Sequence, residues 1–200
     1  MNMYDAFFEY LNRFDCPPLT EEERALFREA LIPHKLKKRQ CLLQEGNECK
    51  NLAFIVKGAM RQYSVDKKGT EHILRLGVED WWMGDRESWV MGTPSIYNID
   101  AWEDSEMLLV SRPAVMELNR KTSIMGEMMR QLDERNNIAN QRRLTSSISA
   151  TAEKKYVDFV ECNPSLAIRF PQHIIASYLG ITKDTLSRVK RQHYKSSESL

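Results

Sequence analysis

The sequence predicts an α+β protein: an antiparallel β-roll of the jelly-roll type with flanking helices, then a long helix and a C-terminal helix-turn-helix. Two observations predict this architecture. Between residues 34 and 111, glycines at intervals of 7 to 12 residues separate short apolar runs, which is typical of an antiparallel sandwich or barrel. On both sides of that stretch, apolar residues recur every three or four positions, which indicates helices.

The composition suits a protein with a substantial core. The chain has 200 residues, of which 42% are hydrophobic and 28% charged. We expect a sensor domain over residues 1–122, a long helix over residues 123–146 and a DNA-binding domain over residues 147–200. No apolar run reaches the roughly 18 residues of a membrane helix, and the N-terminus lacks the pattern of a signal peptide, so we expect a cytoplasmic protein.

The elements follow in order. A helical segment to about Leu31 contains a capping box that starts at Thr20. Strands are predicted at residues 41–43, 52–56, 60–65, 72–76, 96–101 and 107–110, with a hairpin tip at 66–69. A second helix, over residues 152–161, follows the long one and is broken by Asn163-Pro164.

The long helix, predicted from about Ser123 to Thr145, carries a stripe of residues near heptad a and d positions. Such a stripe suits pairing with a second copy of the chain, although it would also suit packing on its own domain. The predicted dimer-helix residues are Met125, Met128, Leu132, Arg135 and Ala139.

The segment from Phe170 to Arg191 predicts two short helices joined by a tight turn. Residues 172–179 form the first, and Gly180 stands where a left-handed residue would end it. Thr182 is a good N-cap for the second helix, whose Leu186 and Val189 would face inward. This arrangement suits a helix-turn-helix that reads the major groove, although an ordinary hairpin with a solvated charged face is an alternative.

Charge is unevenly distributed. The segment from Arg142 to Lys195 contains ten basic and four acidic residues, whereas the whole chain has a net charge of only +1. A basic C-terminal end on a nearly neutral protein favours contact with phosphates through that end.

These features together resemble the Crp/Fnr family of bacterial transcription regulators, with its cyclic-nucleotide-binding-like roll and C-terminal helix-turn-helix. Residues 175–188, IASYLGITKDTLSR, resemble the family's recognition motif most closely. Support comes from Phe54–Gly58 and Trp82–Asp85, which are similar to an apolar strand ending in Gly and to the approach to the ligand pocket. The resemblance implies a homodimer that binds palindromic double-stranded DNA, and activation would also require contact with RNA polymerase.

By this resemblance, Lys183, Asp184, Ser187 and Arg188 occupy positions that read base edges. An arginine can bind guanine in a bidentate manner, and an aspartate can accept a hydrogen bond from cytosine. Four further residues would contact phosphate: Thr182, Thr185, Lys190 and Arg191.

The ligand pocket departs from the family pattern. Cyclic-nucleotide-binding members carry a Gly-Glu pair and then an Arg-Ser pair, whose Arg neutralises the phosphate. Here Gly84-Asp85 and Ser95-Ile96 stand at those places, and Arg86 is the nearby cation that could substitute. We therefore expect no resident cofactor and weak or no binding of cyclic AMP. Another small ligand could bind, or Trp81, Trp82, Trp89 and Tyr97 could fill the space. The residues of this degenerate pocket are Gly84, Asp85, Arg86, Glu87, Ser95 and Ile96.

Three other possibilities are disfavoured. The cysteines are too sparse for a metal or iron–sulfur site, and a lone His72 is a poor haem ligand. The carboxylates near residues 85–87 and 100–104 lack a partnering histidine, so we expect no enzyme.

Only residues 192–200 follow the predicted recognition helix, which leaves a truncated wing.

The predicted function is that of a dimeric, sequence-specific transcription regulator whose roll could respond to a small molecule. The alternative is a ligand-binding or dimerisation module with a vestigial DNA-binding helix.

Overall fold

The computed structural model describes residues 2–197, and side chains through Gln192. Its β-roll contains two four-stranded antiparallel sheets, with strand orders β1-β8-β3-β6 and β2-β7-β4-β5. The strands are β1 (Ile32–Leu36), β2 (Cys41–Leu43), β3 (Asn51–Lys57), β4 (Met60–Val65), β5 (Glu71–Gly77), β6 (Trp82–Met83), β7 (Asn98–Ala101) and β8 (Ser105–Ser111). The antiparallel roll predicted from the glycine spacing is confirmed.

Nine helices surround and follow the roll in the described residues. They are α1 (Met3–Leu11), α2 (Glu21–Ala30), α3 (Arg86–Met91), α4 (Arg112–Lys121), α5 (Ile124–Ser149), α6 (Ala152–Cys162), α7 (Pro164–Arg169), α8 (Gln172–Leu179) and α9 (Lys183–Ser197). The capping box of α2 is confirmed, because the Thr20 hydroxyl accepts from the Glu23 N–H while the Glu23 carboxylate accepts from the Thr20 N–H.

The core of the roll is aromatic where α1 covers it. The Phe7 ring lies edge-on to the rings of Phe54 (centroids 5.2 Å apart) and Trp82 (6.1 Å). Edge-to-face pairs of this kind add to the free energy gained by burying the rings. The N-terminal helices are therefore part of the roll rather than an appendage.

Helix α5 divides into a buried and an exposed half. Met125 and Met128 are 0% exposed and lie in the core of the roll. From Glu134 to Ser149 every residue except the half-buried Ser146 is exposed. This stretch of the stripe therefore packs on its own domain, which is one of the two possibilities that the sequence left open, and a dimer contact through Met125 and Met128 stays a prediction.

A second core joins the roll to the C-terminal helices. Ile73, Leu76 and Val78, from β5 and the residue after it, are buried in the same apolar cluster as residues of α6 to α9. The C-terminal helices thus pack directly against the roll.

Some elements differ from the sequence prediction. Strands β1 and β6 and helices α3 and α7 were not predicted, and α5 runs four residues beyond the predicted Thr145. Pro164 does not simply end a helix but occupies the first turn of α7, where its missing N–H costs nothing. The residues expected after the recognition helix continue α9 through Ser197, and no strand follows α9 within the described residues.

The packing of the β3–β4 turn can be tested by substitution. Gly58 has φ +105°, and a Cβ there would lie 2.7 Å from Ser105 Cα and 2.8 Å from the Asp104 carbonyl oxygen. Gly69 has a similar positive φ but open space around it. We expect Gly58→Ala to lower the free energy of unfolding by about 3 kcal/mol, through strain and backbone overlap. Gly69→Ala should cost only about 1 kcal/mol. Urea denaturation measures both, and equal losses would contradict the packing described.

Candidate nucleic-acid interface and roll pocket

The turn between α8 and α9 has the predicted local chemistry. Gly180 adopts φ +66°, the left-handed conformation that glycine reaches without steric cost. The N–H of Ile181 then bonds to the Ala176 carbonyl at 3.0 Å, which satisfies one of the last carbonyls of α8. The Thr182 hydroxyl accepts from the Thr185 N–H at 3.1 Å and so caps α9.

The inner face of α9 is fixed by burial. Leu186 is 0% and Val189 3% exposed, and both lie in the cluster that contains Ile174 and Ile175 of α8. The Ser187 hydroxyl also bonds to the side-chain oxygen of Gln172 at 3.2 Å. Because the inner face is held at several points, the direction of the outer face is determined.

The outer face of α9 is polar and exposed. Lys183, Asp184, Arg188 and Arg191 are all exposed. Among the described side chains, no ion pair includes Lys183, Asp184 or Arg188. These residues form what we call the α9 outer face.

The other residues predicted to contact DNA are partly buried or hydrogen-bonded within the protein. Ser187, Thr185 and Lys190 are half-buried. Ser187 is bonded to α8, and the Thr182 and Thr185 hydroxyls lie 2.8 Å apart and bond to each other. In this conformation, these hydroxyls hold the helix-turn-helix together rather than project from it.

In the roll, Asp85 is a helix cap. Its buried carboxylate accepts from the N–H groups of Glu87 (3.1 Å) and Ser88 (3.4 Å) and so begins α3, directly after Gly84. Both bonds are accepted by Oδ1, so capping occupies one of the two carboxylate oxygens that could meet a ligand hydroxyl.

The expected substitute cation faces away from the interior of the roll. Arg86 forms an ion pair with Asp133 of α5 (2.6 Å), and its guanidinium lies over the Trp89 ring, 5.6 Å from the centroid. Arg86 and Glu87 are both exposed. The Arg86 pair therefore connects α3 to α5 rather than supplying a positive charge inside the roll.

Ser95 and Ile96, which stand where the family has Arg-Ser, are hydrogen-bonded within the loop or exposed to solvent. The Ser95 hydroxyl accepts from the Tyr97 N–H at 3.0 Å, whereas Ile96 projects outward. Trp82 and Trp89 are buried, and Trp81 and Tyr97 are half-buried. A cavity of about 200 Å³ opens nearby, lined by Leu42, Leu43, Glu48, Cys49, Lys50, Asn51 and Ile99. None of the six predicted pocket residues lines it.

The carboxylates near residues 100–104, one of the two candidate catalytic clusters, are each paired with a cation. Asp100 is bound by Arg61 (2.9 Å), Glu103 by Arg169 (2.6 Å) and Asp104 by Lys37 (2.8 Å). Arg61 and Arg169 were not singled out from the sequence, because their partners lie 39 and 66 residues away along the chain. No local pattern could have identified these pairs.

The thiols and His72 have ordinary surroundings. Cys49 is buried, which raises the pKa of its thiol, and the cysteines are free. His72 is exposed and lies 3.0 Å from Asp66 at the hairpin tip. Within residues 2–197, no group of three potential ligands is placed to hold a metal ion, and no helix is long and apolar enough to cross a membrane.

The chain thus combines a β-roll, a long helix and a helix-turn-helix with an exposed basic face. Comparison with known proteins agrees: residues 33–122 match the family model of the cyclic nucleotide-binding domain, and the chain has the fold of Crp/Fnr transcription regulators. The resemblance stated from the sequence is thus confirmed at the level of the fold. No curated protein matches the chain significantly by sequence.

Three solved structures illustrate the similarity. FixK2 from Bradyrhizobium japonicum superposes with a TM-score of 0.72 at 18% identity, covering 84% of this chain and 86% of its own. A CooA mutant from Carboxydothermus hydrogenoformans gives 0.70 at 13% identity, covering 91% and 82%. A protein of Eubacterium rectale assigned to the Crp/Fnr family of transcriptional regulators gives 0.64 at 16% identity, covering 89% and 85%.

Proposed function

We propose that the chain is a sequence-specific DNA-binding transcription regulator that binds a palindromic site as a dimer, with α9 in the major groove. The observation that carries the proposal is the α9 outer face. Cations and an acceptor are exposed together on a helix whose opposite side is buried, which is the arrangement that major-groove reading requires.

The residues of the α9 outer face divide into two roles. Arg188 and Asp184 carry groups that can distinguish base pairs, a bidentate donor for guanine and an acceptor for the cytosine amino group. Lys183 lies at the start of the helix and adds a third group that can reach a base edge. Arg191, further along the helix, is suited to a phosphate contact, which positions a protein on DNA without reading sequence. The half-buried Lys190 lies beside this face and could contact phosphate in the same way.

The exposed half of α5 supports dimerisation. Ile138, Leu144 and Ile148 are large apolar residues that are 51%, 63% and 79% exposed. At 100° per residue, Leu144 and Ile148 lie on the side of the helix opposite to Met125 and Met128, and Ile138 lies at the edge of that side. A second copy of the chain would bury them, so we place the dimer contact on this side, which we call the outer side of α5.

The predicted dimer residues further along the stripe belong to the inner side of α5. Leu132 packs against the core of the roll, and the Arg135 guanidinium lies 5.0 Å from the centroid of the Phe14 ring. Ala139 is exposed but points in the same direction as Leu132. The proposed contact therefore shifts from the stripe read in the sequence to the opposite side.

We further propose that the roll does not respond to cyclic AMP. Binding of a cyclic phosphate requires a cation beside it, since a buried anion without one is costly. Arg86 is paired with Asp133 outside the roll, and Ser95 and Ile96 stand where the family has Arg-Ser. A different small ligand remains compatible with the proposal.

The first prediction concerns base reading. Arg188→Ala should remove sequence preference at one base pair in each half-site, at about 1–3 kcal/mol of discrimination. Arg191→Ala, the matched control, should weaken binding to all sequences alike and reduce the salt dependence by about one phosphate contact. Selection from a random DNA pool, followed by titration at several salt concentrations, measures both. If wild type enriches no sequence, even with candidate ligands added, the alternative module with a vestigial DNA-binding helix is favoured.

The second prediction concerns the dimer. Leu144→Glu combined with Ile148→Glu should convert a dimer into a monomer, because two charges would be buried on the outer side of α5. Met116→Glu, at a similarly exposed apolar site on α4, is the control and should leave the dimer intact. Sedimentation velocity measures the state. Dissociation by Ala139→Glu, with no effect of the double variant, would restore the stripe predicted from the sequence.

The third prediction concerns cyclic AMP. A ligand that binds only the folded protein increases the free energy of unfolding, by roughly 3 kcal/mol at a hundredfold excess over Kd, and therefore raises the melting temperature. We expect the midpoint of thermal unfolding to stay constant as cyclic AMP is raised to about 1 mM, that is, a Kd no tighter than the millimolar range. A saturable rise in the midpoint would contradict this.

A further inference from the structure

Strand β5 lies at the edge of its sheet, and the C-terminal half of the chain covers that edge. The Ser177 hydroxyl of α8 accepts from the Ile73 N–H (3.0 Å) and lies 3.2 Å from the Glu71 carbonyl oxygen, to which it donates. Arg143 of α5 donates to the Leu74 carbonyl and, at 3.2 Å, to that of Tyr178. Backbone groups that an edge strand would otherwise expose are thus bonded to side chains of α5 and α8.

Apolar burial extends the same contact. Ile73, Leu76 and Val78 are 4%, 1% and 6% exposed, within one cluster that includes the inner face of α9. The ring of Trp102, beyond β7, lies 5.9 Å from that of Phe170. The apolar core beneath the helix-turn-helix is therefore partly made of roll residues.

A cluster of charges closes one end of the contact. Arg169 of α7 binds Glu103 through two bonds, of 2.6 and 3.1 Å, and also binds Glu79. Glu79 in turn accepts from the Gly58 N–H at 2.7 Å. Burial alone would raise the pKa of Glu79, but the bonds to Arg169 and to the backbone outweigh it and hold that pKa below its usual value. Glu79 is therefore held in its charged form beside Arg169.

We propose that β5, Glu79 and Glu103 form a docking face on the roll that fixes the orientation of the helix-turn-helix and thereby sets the separation of the two recognition helices in the dimer. We call it the β5 docking face. No strand follows α9 in the described part of the chain, so β5 supplies the sheet on which α8 packs.

The short link between α5 and α6 explains why this contact matters for function. Only Ala150 and Thr151 lie between α5 and α6. If these two residues were the only connection, the C-terminal helices could rotate relative to α5. In a dimer, two such freely rotating units would seldom present their α9 helices one DNA turn, about 34 Å, apart. The β5 docking face restricts that motion. The DNA part of this inference rests on the proposed function, whereas the docking itself does not.

Two variants break the charge cluster from opposite sides. Arg169→Gln removes a positive charge from the DNA-binding end, and Glu79→Gln with Glu103→Gln removes two negative charges from the roll. Arg120→Gln, which loses a surface ion pair with Glu117 on α4, is the control. We expect both interface variants to bind the intact palindrome about tenfold more weakly, with no change for a site with one half scrambled. The control should behave as wild type.

The paired design separates positioning from simple attraction to phosphate. If charge alone mattered, the double Glu variant would bind every DNA more tightly, and that result would overturn the inference. Unchanged palindrome affinity in both interface variants would overturn it as well.

Hydrogen exchange provides a readout without DNA. The Ile73 amide and those of α8 should exchange faster in both interface variants, while those of β3 keep their protection and show that the roll is folded. Failure of wild type to bind any DNA would remove the proposed function, and exchange would then decide on the docking face alone. Unchanged exchange at Ile73 would overturn it.

Discussion

One strand of this protein contributes to two units. β5 belongs to a sheet of the roll, yet Ile73, Leu76 and Val78 are buried against the C-terminal helices. Burial of three aliphatic side chains contributes about 1.5–3 kcal/mol each, comparable with the net stability of a small domain. The position of the helix-turn-helix, and with it the direction of the α9 outer face, depends on this shared burial.

The charges around the shared core are arranged to the same end. Arg169 is bound to two carboxylates of the roll, whereas Lys183 and Arg188 have no ion pair among the described side chains and are exposed. Arg169 and Arg143 of the basic C-terminal end thus serve the contact with the roll, whereas Lys183 and Arg188 remain accessible to phosphates and bases. The net positive charge noted in the sequence therefore comprises two populations with different roles.

The features that could be predicted from the sequence are those that depend on residues close together in the chain. Gly180 and Thr182 report on their own backbone, so the turn and the N-cap could be read directly. Met125 and Met128 could not be assigned, because helical spacing shows that a stripe will be buried but not what covers it. The pairing of Arg169 with Glu79 and Glu103 left no trace in the sequence, since it joins segments 66 and 90 residues apart. Asp85 matched a family position, but its capping role became visible only once α3 was known.

The central claim, that two docked helix-turn-helix units present α9 to adjacent major grooves, is tested most directly by hydroxyl-radical footprinting of wild type on a selected site. The account predicts two protected stretches of equal strength with centres about one helical turn, 10–10.5 base pairs, apart. A single protected stretch, or protection spread evenly along the DNA, would contradict it.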